Sequence, residues 1–204
     1  MADVSLKVDY SEITRIFQES IDTDVRIRDM VNNFVIQIFK RNKDILLKEF
    51  NGHKITNELK EGPSASNLSG TLDGNGNLFS FLGFFHSRNP TAELEELLNQ
   101  LTIRKTTRKG SVLYYSINLP GKREIESATR MDWGTGTSWA FAVETGNFNG
   151  DAALSHFIFK TWMNSRSQKG IQVKNQYSES KFSPTPYISE ILENFQKRIN
   201  NTTV

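Results

Sequence analysis

Asp132 and Glu144 are the carboxylates to test first for chemistry, because both lie in the tryptophan-rich stretch Thr129–Gly150. Carboxylates that work as acid and base need a shared site and split pKa values. Nothing in the spacing of this pair provides either. Glu144 is therefore read as a capping or interface group. His53, His86 and His156 are scattered and form no HxH or HExxH pattern. His156 lies in an apolar run and reads as a hydrogen-bonded core or edge histidine rather than a ligand. The chain has 0 cysteines, which removes disulfides, thiolate metal sites and thiol catalysis together. That composition fits a reducing interior, or a particle assembled there. Gly134-Thr-Gly136 and Gly70 with Gly74-Asn-Gly76 lack the phosphate-loop and dinucleotide spacings, so they read as turns. The expectation is a protein with no catalytic site, no metal and no cofactor.

Charge is the other source of chemistry. The net charge is only +2, with 24% of residues charged. Its distribution is uneven. Between Glu96 and Glu124 there is no acid, yet Arg104, Lys105, Arg108, Lys109, Lys122 and Arg123 fall there. A second acid-free window, Asp151 to Glu179, holds Lys160, Arg166, Lys169 and Lys174. Such windows can meet phosphate or an acidic partner, with contacts that weaken in salt. The plainer account is a solvated hairpin whose charges keep its edge unpaired. As a contact, an acidic protein surface is preferred over DNA, since no nucleic-acid fold signature accompanies the charge.

These residues need elements to position them. At 204 residues and 37% apolar, the chain is long enough for one domain with a real core, much of it from 14 phenylalanines. The expected single domain spans 1–204, with a polar or weakly alternating arm at 1–10 and a flexible tail at 200–204. The N-terminal residues are too polar for a signal peptide, and no apolar stretch reaches membrane-spanning length. Ser11 can cap a short helix carrying Ile13, Ile16 and Phe17. Asp22-Thr-Asp24 opens a long amphipathic helix from about Val25 to Phe50, closed by Asn51-Gly52. Its apolar positions are Ile27, Met30, Val31, Phe34, Val35, Ile38, Phe39, Leu46 and Leu47.

Residues 53–76 read as a loop with a short strand near Asn67–Leu72 and a turn at Asp73-Gly-Asn-Gly76. The run Asn77–Phe85 reads as a strand, either buried on both faces or offering an aromatic edge to a partner. Burial is preferred, since most aromatic runs are buried. Asn89-Pro90 starts a helix with Leu94, Leu97, Leu98 and Leu101 on one face. Ile103–Lys109 and Val112–Leu119 form a hairpin that puts Leu113, Tyr115, Ile117 and Leu119 on one side. A helical turn at Arg123–Ala128 leads into the tryptophan stretch, and Trp139–Val143 reads as strand-like. Ala152–Phe159 suits strand or helix, leaning to strand at its end, and Gly170–Tyr177 alternates as a strand. The last helix opens at Thr185-Pro186, with Ile188, Ile191, Leu192, Phe195 and Ile199 as its stripe. The expected fold class is α+β: an antiparallel β-sheet packed with a long N-terminal helix, a short middle helix and a C-terminal helix.

The order of these elements, together with two segments, resembles the tail-completion (neck, or head-tail joining) proteins of long-tailed bacteriophages. In that family a Gly-x-Leu segment follows the helix, and Asn67-Leu-Ser-Gly-Thr-Leu72 stands in its place here. An aromatic-Ala segment ending in Glu-x-Gly leads into the later strands, and Trp139-Ala-Phe-Ala-Val-Glu-Thr-Gly146 is similar to it. A closing helix opened by a Pro-containing turn corresponds to Pro184-Thr-Pro186 onward. The Phe84–Leu101 insert and Asp132-Trp133-Gly134 lie outside the simple pattern. The resemblance implies a non-enzymatic virion protein, a ring of typically six copies between head connector and tail tube, assembled in the host cytoplasm. Arg104, Lys105, Arg108 and Lys109 would then meet an acidic ring or line the DNA passage. Phe79, Phe81 and Phe84, with Trp133, Trp139 and Glu144, would form subunit contacts. The alternative function is a nucleic-acid-associated module that uses the basic loops.

Overall fold

The computed structural model describes residues 3–8, 24–72, 77–109, 112–131, 138–146, 157–158, 173–174 and 183–202. The expectation at Ser11, the turn at 73–76, the hairpin tip at 110–111, and Asp132 and Trp133 lie outside them.

Helix α1 (Val25–Gly52) begins where the Asp24 carboxylate accepts the backbone N–H of Arg26 at 2.8 Å. Val35, Phe39, Asn42, Leu46 and Phe50 point inward at spacings of three and four. Gly52 ends it, as the sequence suggests, but the chain does not then become a loop. His53 adopts an extended backbone, and its Nδ1 accepts the N–H of Ile55 at 3.3 Å. This cap starts α2 (Lys54–Glu61). The buried face of α2 is Ile55, Thr56, Glu58 and Leu59, and half of it is polar. Its apolar signal in the sequence rests on one i, i+4 pair, Ile55 and Leu59. The expected strand near Asn67–Leu72 is a turn-rich segment instead.

Two further segments expected as strands are helices. In the aromatic run, α3 (Leu78–Leu82) is closed by local polar groups at both ends. Asn77 Oδ1 accepts Ser80 N–H at 2.8 Å, and Gly83 sits in the left-handed region (φ 72°) as the C-terminal cap. In the tryptophan segment, α6 (Trp139–Thr145) is capped by Ser138 Oγ, which accepts Phe141 N–H at 3.2 Å, and ends at left-handed Gly146. Caps at each end, with Ala140 and Ala142 inside, outweigh the strand preference of Trp, Phe and Val.

Between these lie α4 (Ala92–Asn99), the hairpin β2 (Ile103–Lys109) and β3 (Val112–Asn118), and α5 (Lys122–Ala128). Helix α4 starts two residues beyond Pro90, with Asn89 Oδ1 holding both the N–H and the hydroxyl of Thr91. Leu113, Tyr115, Ile117 and Leu119 are buried together, as expected. The Tyr115 hydroxyl donates to Asn32 on α1, tying sheet to helix. The N-terminal arm is a strand, β1 (Asp3–Val8), antiparallel to β3 with Val4, Leu6 and Val8 opposite Ile117, Tyr115 and Leu113. Strand β3 is thus central. A separate pair, β4 (Phe157–Ile158) and β5 (Val173–Lys174), is antiparallel.

Helix α7 (Ile188–Asn200) buries Ile188, Ile191, Leu192, Phe195 and Ile199 and packs on α1, with Phe195 edge-on to Phe39 at 6.4 Å. Arg198 closes this contact with a two-pronged pair to Glu49 at 2.6 and 3.0 Å. The architecture corrects the expected one of a sheet packed with three helices. The chain is α+β with a small open sheet and seven α-helices among the described residues. Most of the core is helix against helix. The three unexpected helices arose because caps and buried polar groups decide short helices, and apolar spacing does not report them.

Candidate assembly surfaces

Trp139, Phe79 and Phe84 are fully buried. They form one aromatic node with Tyr187. Phe84 meets Phe79 at 5.5 Å and stands edge-on to Trp139 at 6.3 Å, and Trp139 tilts onto Tyr187 at 5.9 Å. These three therefore hold the interior, and no subunit contact can reach them without unfolding the node. Phe81 is half-buried against the same core.

Helix α2, which falls in the stretch expected as a loop, supports this node. Thr56 exchanges a hydrogen bond with the Tyr187 hydroxyl at 2.8 Å. Burial of that hydroxyl pushes its pKa well above the usual tyrosine range. The fully buried Glu58 carboxylate accepts Ser69 N–H at 2.8 Å and Leu78 N–H at 2.6 Å. One side chain thus holds the Asn67–Leu72 segment and starts α3. The stretch 183–187 then bridges the two segments that carry the resemblance. Ser183 N–H donates to the Thr71 carbonyl at 3.3 Å, and Thr185 N–H donates to the Val143 carbonyl at 3.1 Å.

Glu144 is half-buried and caps α7 from outside. Its Oε1 accepts Ser189 N–H at 2.6 Å and its Oε2 accepts the Ser189 hydroxyl at 2.7 Å. Tyr187, at the capping position itself, gives the helix no side-chain capping bond. Glu144 satisfies an N–H that the helix geometry leaves unpaired, at the end where negative charge is favoured. Glu144→Ala is expected to cost about 1 kcal/mol, measured as a lower urea midpoint with unchanged slope. An unchanged midpoint would remove the capping role.

His53 lies tilted against Tyr187, with 4.9 Å between ring centres. Burial holds its pKa below the ordinary histidine value of about 6.5, with neighbouring Glu190 opposing and Lys54 assisting. The unfolded chain therefore binds the proton first as pH falls. Stability is full above about pH 6.5 and declines as pH drops through the folded pKa. Protonation also removes the Nδ1 acceptor that caps α2. Urea titrations from neutral to mildly acidic pH should show this decline, and His53→Asn, which caps without titrating, should flatten it. An equal decline in both proteins would assign the effect elsewhere.

Of the basic hairpin, Arg104 and Lys105 are exposed. Arg108 and Lys109 lie in β2, at register positions opposite Leu113 and Val112. The register slips between Lys105 and Thr107, a bulge that twists the strand locally. Lys122 is engaged, lying 5.7 Å above the Phe141 ring and 3.8 Å from Glu126.

The surface feature that sequence reasoning missed is on α1. Val25, Met30, Phe34 and Ile36 are exposed, Met30 by 65% and Phe34 by 48%. The signal was present, because Ile27, Met30, Val31, Phe34, Val35, Ile38 and Phe39 span more of the helix circumference than one core can cover. Two grooves also mark the surface. One of about 520 Å³ separates α1 from α7, with Ile38, Arg41, Ile45 and Lys197 among its walls. The other, of about 360 Å³, separates α4 from α5 and is rimmed by Glu93, Glu96 and Glu124. Among the described residues no group of His, Cys, Asp or Glu could hold a metal ion, and no helix is long and apolar enough to cross a membrane. Comparison with protein-family models, with curated proteins and with solved structures gives no match.

Proposed function

We propose that the chain is a structural virion protein of a tailed bacteriophage, forming a ring in the neck that completes the tail or joins the head connector to it. The observation that carries this reading is the joint at 183–187. The two segments resembling the neck family are far apart in sequence, yet one extended stretch bonds to both, at the Thr71 and Val143 carbonyls. They are parts of one support, as expected if they share a role in shaping one subunit. The exposed apolar residues of α1 suit a protein that buries them against neighbours. Exposed Arg104 and Lys105 suit an acidic protein surface or a DNA passage.

Electron microscopy of particles made without this protein tests the role. Filled heads beside complete, unattached tails are expected. Normally joined particles would overturn the neck reading. Exposed Arg104 and Lys105 also keep the alternative of a nucleic-acid-associated module. That reading requires affinity for free DNA that falls steeply with salt, and reversal of both charges should abolish it.

A further inference from the structure

We propose that His53 is an acid-operated latch: neutral, it holds the first turn of α2 closed, and protonated, it releases that turn and pairs with Glu190 on α7. A single residue separates α1 from α2, and that residue is His53, in an extended backbone. Its Nδ1 accepts the Ile55 N–H at 3.3 Å, so the neutral ring carries its proton on Nε2. The same ring lies 4.9 Å from Tyr187, which occupies the N-terminal cap position of α7. A half-buried imidazole thus stands at the N-terminal ends of two helices. Both ends favour negative charge and oppose an imidazolium.

Protonation reverses the contact. An Nδ1–H faces the Ile55 N–H, donor against donor, and the cap is lost. The charged groups around the ring decide where it turns. On α2, Lys54 repels the charged ring. On α7, Glu190 attracts it, and the Pro186 carbonyl beside the ring favours the charged form as well. Glu144 on α6 and Glu95 on α4 bear on Tyr187 and are already held, by Ser189 and Lys60. From α1 the neighbour is uncharged Phe50, 6.2 Å from Tyr187. Glu190 is exposed in the first turn of α7. The ring therefore has one partner in each state, the Ile55 N–H when neutral and the Glu190 carboxylate when charged. Acid shifts the balance between two local conformations, and no assembly is needed for it. Release begins below the ordinary histidine range, because burial works against the charge.

Amide hydrogen exchange of the full chain, read by NMR from about pH 7 to about pH 5 and corrected for the intrinsic rate, tests the latch. Protection of the Ile55 amide should fall about tenfold as His53 titrates, while the Phe195 amide of α7 keeps its protection. In His53→Asn, which caps without titrating, Ile55 protection should not follow pH. Glu190→Gln should move the His53 midpoint and the Ile55 release together to lower pH, and Lys54→Gln should move both to higher pH. Both positions are exposed, so these two variants carry the test even if His53→Asn fails to fold. A histidine with only a packing role would show no such paired shifts. Equal loss at Ile55 in His53→Asn would overturn the proposal, and so would equal loss at Phe195, which reports global unfolding. A midpoint unmoved in Glu190→Gln would overturn the exchange of partners.

Discussion

Trp139→Ala is expected to destabilise the fold by about 3–5 kcal/mol. Trp139 is fully buried and is among the largest side chains in the interior. Its removal deletes the edge contact with Phe84 and the tilted contact with Tyr187 at once. The space left is walled by α6 itself, by Phe84 just beyond the Gly83 cap of α3, and by Tyr187 at the N-terminal cap of α7. None of them can collapse into it without moving its own caps. Folded domains hold a margin of only about 5–15 kcal/mol, so the loss would take a large part of it. Trp139→Phe should cost less, because much of the ring volume remains. Urea unfolding measures both, and a loss below about 1 kcal/mol for the alanine variant would show that the node is not a stability centre.

Glu58→Ala is the second large effect, expected at about 2–6 kcal/mol because it orphans two backbone donors. The carboxylate is fully buried and holds two backbone N–H groups, those of Ser69 and Leu78. Deleting it leaves both donors without this acceptor, and a buried unpaired donor costs about 1–3 kcal/mol. Glu58→Gln keeps one carbonyl oxygen and puts an NH₂ against the other donor. It should lie between the wild type and the alanine variant. Amide hydrogen exchange gives a second readout, local rather than global. The Ser69 and Leu78 amides should exchange faster in Glu58→Gln while the amides of α7 keep their protection. Uniform acceleration across the chain would mean that Glu58 acts on the whole fold and does not clamp that segment in particular.

Both effects arise at residues whose roles were read differently from sequence. Trp139 belonged to a strand-like segment with a surface role, and Glu58 fell inside a loop. In each case the deciding partners lie far along the chain. Tyr187, which receives Trp139 and Thr56, is distant from both in sequence. Residue types report that a tryptophan will be buried and that a glutamate will not be buried unpaired. They do not report which remote backbone amides will meet it. Glu144 shows the opposite case. A capping or interface role was the expectation once acid/base chemistry was set aside, and the helix it caps is α7, far along the chain.

What the sequence by itself determined is the set of elements with strong local periodicity. Helix α1 from Asp24 to Gly52, the Leu113–Leu119 alternation and the α7 stripe from Ile188 to Ile199 all stand where spacing places them. In each, many apolar residues repeat one period, so burying that face requires one conformation. Only the tertiary structure decided α2, α3 and α6, the pairing of β1 with β3, and the apolar ridge left outside on α1. Those are short, or polar on the buried side, or too broadly apolar for their neighbours to cover. Their state depends on hydrogen-bond partners and packing neighbours brought together from distant parts of the chain, which no local period encodes.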